Sequence, residues 1–186
     1  MKTKIWIAGA VLVCSMSVSA DEFSELLDAA TEAYQAGDLA AAYEDLSFAQ
    51  QLLQKMQGEA FAELLPEALE GWTREVNTGD NAAMGMLGGG VSVEGSYSGE
   101  SGTFKISMMA DNPGVMQMVG MYSNPQMLAS LGEVVRIRRQ SFVINRSGEI
   151  SGVVGGRTLI QARGRAPRED ILAHLEQMDF NALNAR

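Results

Sequence analysis

Thiols, imidazoles and bases are scarce in this chain of 186 residues, which has one Cys, one His and four Pro. A single Cys rules out a disulfide framework and any Cys-rich metal cluster. A single His, with no G-x-S-x-G or H-E-x-x-H anywhere, leaves most hydrolytic and redox mechanisms without their usual groups. Lys and Arg number 14 against 23 Asp and Glu, a formal net charge of −9. That balance argues against a nucleic-acid binder, which needs a surplus of bases to meet phosphate. Past residue 20 no apolar run approaches the roughly 20 residues that cross a bilayer. What remains is a globular composition, 46% apolar and 20% charged, long enough for one domain or a small domain with an appended helical piece.

The first twenty residues read as an export signal. Lys2 and Lys4 form a positive start, Ile5 to Val13 an apolar run, and Val18-Ser19-Ala20 the small residues that a signal peptidase reads. A lipoprotein signal cleaved before Cys14 would need a small residue where Val13 stands. Cleavage before about Asp21 implies a periplasmic protein if the cell is Gram-negative, with no transmembrane segment. It removes Lys2, Lys4 and Cys14, leaving 12 bases against 23 acids and no thiol.

Charge then divides the chain. Residues 21–70 hold 12 acids and one base, Lys55, whereas residues 71–186 hold 11 of each. Pro66 and Gly71 mark the compositional boundary, giving a signal at 1–20, an acidic segment at 21–70 and a body at 71–186. In the acidic segment Phe23, Leu26, Leu27, Ala30 and Tyr34 recur at helical spacing. Gly37 can end that helix and Asp38 can cap a second, along which Leu39, Ala42, Tyr43, Leu46, Ala49, Leu53 and Met56 continue the apolar positions. The short break predicts an antiparallel helical hairpin.

Over residues 26–53 this hairpin resembles one tetratricopeptide repeat, through Ala30, Tyr34, Gly37, Ala42 and Ala49. It departs from the family at Gln54, where a repeat closes with proline, and no second copy follows. The resemblance implies peptide or protein binding. A solitary hairpin must pack on something, either as a lid on its own chain or against another protein.

From Gly71 the apolar period changes to two. Strands are predicted at 71–76, 90–97, 103–109, 133–139, 141–146, 149–154 and 157–163, with Ser98 to Gly102 as a hairpin turn. Asn112-Pro113 and Asn124-Pro125 open helices to about Tyr122 and Leu131, and Pro167 opens a last one over 168–178. The expected fold class is α+β: the helical hairpin, then a mostly antiparallel sheet covered by helices on one side.

Few residues offer chemistry. Eight methionines fall within 84–127, and Met84-Gly-Met86 in a glycine-rich stretch is the pair best placed to offer thioethers to Cu(I). The plainer expectation is that these methionines pack between helix and sheet. The glycine clusters at 85–90 and 152–156 lack the Lys-Ser/Thr of a phosphate loop and read as turns. His174, alone on the last helix, reads as a surface residue or a satisfied partner. Residues 133–168 hold eight arginines against two glutamates and an aspartate-free strand set; alternation puts Arg136 and Arg138 on one strand face, with Arg146, Arg157 and Arg163 on neighbouring elements. Such a surface would be a solvated face, or would meet an acidic partner or the chain's own hairpin, and anionic lipid less readily. The sequence therefore points to an exported, non-enzymatic binding or accessory protein that acts through a protein partner or a second copy, without a cofactor. The alternatives are Cu(I) handling through Met84 and Met86, and an enzyme built from carboxylates and arginines.

Overall fold

A computed structural model describes residues 16–78 and 89–184. The chain divides into two compact units, Met1–Leu53 and Gln54–Arg186.

The first unit holds α1 (Met16–Gln35) and most of α2 (Leu39–Ala62). The turn between them is written in three residues. Gly37 takes a φ of 81°, open to glycine and strained for other residues. Its N–H donates to the Tyr34 carbonyl and that of Asp38 to the Ala33 carbonyl, the paired bonds that close a helix end. Asp38 then caps α2, its Oδ1 accepting from Ala41 N–H at 3.0 Å. Small side chains, Ala30, Ala42 and Ala49, are buried in this unit.

The second unit is built on a seven-stranded antiparallel sheet. Its strands are β1 (Trp72–Asn77), β2 (Val91–Gly99), β3 (Gly102–Ala110), β4 (Glu133–Ile137), β5 (Gln140–Ile144), β6 (Ile150–Val154) and β7 (Thr158–Gly164). They are ordered β1-β2-β3-β7-β6-β5-β4, so the chain lays down one meander, β1 to β3, crosses to the far edge and returns by a second, β4 to β7, with β7 beside β3. One face is continuous across the register, where Ile106 pairs with Ala162, Ala162 with Ile150 and Ile150 with Ile144. On it pack Ile171 and Leu175 of α5 (Arg168–Gln177), Leu183 of α6 (Phe180–Asn184), Phe61 from the end of α2, and Leu65 just beyond it.

The α+β class and the antiparallel sheet are as the sequence predicts, and the helices divide between two faces. Strands β5 and β7 are apolar at both parities, with Phe142, Val143 and Ile144 buried together, as are Leu159 and Ile160. Such strands need cover on both sides. On the second face α3 (Pro113–Ser123) lies against β6, and α4 (Pro125–Leu131) against β4 and β5. Asn112 and Asn124 cap these helices just ahead of Pro113 and Pro125. Val115 and Leu128 point inward, and the Tyr122 hydroxyl meets Ser151 Oγ at 2.8 Å.

The second unit begins within α2 rather than at the compositional boundary of Pro66 and Gly71. Phe61 and Leu65, 4% and 3% exposed, belong to the sheet's core although they lie in the acidic segment.

Candidate functional site

On α2 two stripes run side by side. Ala42 and Ala49 are buried, while Leu39, Tyr43, Leu46 and Leu53, spaced by four, three and seven residues, share an outward stripe. Their exposures are 66%, 76%, 51% and 40%, and Tyr34 on α1 is 68% exposed. Single exposed apolar residues are ordinary; a helical stripe of them is a candidate contact surface. Residues 21–53, which hold the stripe, contain eight Asp and Glu and no Lys, Arg or His, and Lys55 follows on the same helix. The sequence shows these apolar positions but not which of the two stripes is outward, because a hairpin's inner seam can be made of alanine.

The arginines of 133–168 are dispersed. Arg136 stays on β4, opposite Ser141 on β5. The strand ends at Ile137, and Arg138 and Arg139 form the two-residue turn to β5 with φ of 45° and 74°. Arg138 thus leaves the face of Arg136 and donates to the Met178 carbonyl at 3.0 Å. Arg146 is exposed in the β5–β6 turn. Arg157 is paired with Asp111, its Nε donating to Oδ1 at 2.9 Å. Arg163, on β7, stands 3.9 Å from Glu94, which Lys105 also reaches. Arg168 makes a two-pronged pair with Glu133; that hydrogen bonding holds the exposed Glu133 carboxyl below its ordinary range and Arg168 above its own. No common basic face results from the five predicted arginines; each is fixed by the turn or strand that carries it.

His174 is fully buried and satisfied. The Asp170 carbonyl can only accept, so the Nδ1 that lies 2.7 Å from it carries the proton. Nε2 is left as the acceptor for Leu69 N–H at 3.3 Å. Around the ring stand Trp72, Tyr97 and Phe104, with centroids at 5.2, 5.0 and 4.9 Å. Tyr97 donates to the Pro66 carbonyl at 2.6 Å, and Arg74 donates to the Leu65 and Pro66 carbonyls. Burial pushes the Tyr97 phenol above its ordinary range. The cluster clamps the segment 65–69 to the sheet. The register of the β2–β3 hairpin, which pairs Tyr97 with Phe104, is the signal from which its centre could be read.

Met84 and Met86 lie outside the described residues. Of the other methionines, Met108 and Met178 are buried in the core, whereas Met116 and Met127 are 58% and 47% exposed. Among the described residues no three His, Cys, Asp or Glu side chains gather as a metal site. A small apolar pocket of about 110 Å³ lies between Phe61, Val91, Ala110 and Leu183, with Asp111 and Arg157 also lining it. No helix among the described residues is long and apolar enough to cross a membrane.

No family model matches the chain, and no curated protein or solved structure compared with it is similar. The tetratricopeptide resemblance accordingly rests on the hairpin residues alone.

Proposed function

We propose that the chain is an exported, non-enzymatic binding protein of the periplasm that acts through contacts with another protein, made by its N-terminal hairpin. The observation that carries this reading is the outward stripe of Leu39, Tyr43, Leu46 and Leu53. Burying a side chain of this size is worth about 1.5–3 kcal/mol, so the four together offer a substantial docking surface. Tyrosine adds contact area at low entropic cost and a hydroxyl for the rim. The export signal read in residues 1–20 supports the location, and the resemblance of the hairpin to a peptide-binding repeat supports the mode.

Affinity capture from a periplasmic extract tests the reading. The parent chain and a Tyr43→Ser/Leu46→Ser variant, matched in fold by circular dichroism, serve as baits. A partner recovered by the parent and lost with the variant is the expected outcome. Equal recovery by both baits contradicts it.

A further inference from the structure

We infer that the hairpin stripe takes a cationic amphipathic segment of another protein; this rests on the docking reading above and names the chemistry of the partner. The stripe spans Leu39 to Leu53, about 21 Å along a helix, which fits a polypeptide segment better than a small molecule. Every charge in residues 21–53 is negative, and the first base, Lys55, comes two residues beyond the stripe. An approaching segment that presents apolar side chains to Tyr43 and Leu46 gains from positive charge opposite the acids of the hairpin. A neutral or acidic segment would leave this field unanswered or be repelled by it. A second copy docking stripe to stripe would bring two acidic hairpins together, which the charge opposes.

The tyrosines make an independent case. Tyr34 on α1 and Tyr43 on α2 are 68% and 76% exposed. A tyrosine face attracts a Lys ammonium or an Arg guanidinium, by about 0.5–1 kcal/mol at an exposed site. Tyr43, within the stripe, can therefore serve the apolar and the cationic parts of one ligand. In the second unit four bases have acids at hand: Arg157 has Asp111, Arg163 and Lys105 have Glu94, and Arg168 has Glu133, while Arg136, Arg139, Arg146 and Arg165 stand exposed.

The test uses the chain from Asp21 and three labelled synthetic peptides of about 18 residues, long enough to match the stripe as a helix. All three have the same apolar content. One places Leu along one helical face with Lys elsewhere, the second replaces Lys by Glu, and the third shuffles the first. The Lys peptide is expected to bind roughly tenfold or more tighter than the other two, and to weaken by a similar factor against Tyr43→Ser/Leu46→Ser. Binding should also weaken as salt rises. If the Lys and Glu peptides bind equally and both depend on Tyr43 and Leu46, docking stands and the cationic partner is overturned. If the variant binds every peptide as the parent does, the stripe is not a docking site and both readings fall. A dimer in sedimentation that Tyr43→Ser dissolves gives the stripe to a second copy and also overturns the proposal.

Discussion

His174 shows how a residue with catalytic potential is committed to structure. Both ring nitrogens are used on backbone groups, Asp170 C=O and Leu69 N–H, inside a cage of Trp72, Tyr97 and Phe104. Replacement by Leu keeps the bulk but strands both backbone partners, and should cost about 1–3 kcal/mol in urea unfolding. Tyr97 gives a pH prediction. Its phenol is raised by burial, so the folded state binds a proton that the unfolded state releases above about pH 10. Stability from this residue is thus fully present below about pH 10 and lost as pH rises toward the raised folded value. Tyr97→Phe should flatten this alkaline loss while lowering stability at neutral pH by about 1 kcal/mol, the worth of the bond to Pro66. Parallel denaturation curves at neutral pH and above pH 10 measure both effects.

Turns decided the elements, and turns are where the sequence was most legible. Gly37-Asp38, Asn112-Pro113, Asn124-Pro125 and Ser98 to Gly102 each mark an observed boundary, because each has a stated backbone or capping reason. Gly37→Ala should lower the melting midpoint of the hairpin, at a cost of about 1 kcal/mol for a Cβ at positive φ. The Arg138-Arg139 turn was not legible. Two arginines with φ above zero carry no turn signature, so the strand reads on to 139. For the same reason a replacement by Asn-Gly, the pair suited to such a turn, should raise stability by about 1 kcal/mol once the lost Arg138 bond to Met178 is discounted. The dispersal of Arg136, Arg138, Arg146, Arg157 and Arg163 follows from this. Alternation places side chains only while the strand continues, and four of the five lie in turns or on another strand.

At the scale of the whole chain, composition and packing draw the boundary in different places. Charge changes at Pro66 and Gly71, but Phe61 and Leu65 already lie in the core of the second unit. Composition cannot see this, because the solvent faces of α2 carry the acids while its last inward residues carry the packing. A fragment 71–186 lacks Phe61 and Leu65, each worth about 2–5 kcal/mol, and the Leu69 N–H that His174 accepts. That sum approaches the whole stability of an ordinary domain, so this fragment should unfold without cooperativity while 54–186 keeps a sharp transition.

The docking role of the acidic hairpin is tested most directly by site-specific photo-crosslinking in cells that express the full chain. A photoreactive residue replaces Tyr43 or Leu46 in turn, and Ser147, exposed on a turn of the second unit, serves as control. Docking through the stripe requires a discrete adduct with another protein from positions 43 and 46 and none from 147. Equal labelling from all three positions, or no adduct from 43 and 46, contradicts it.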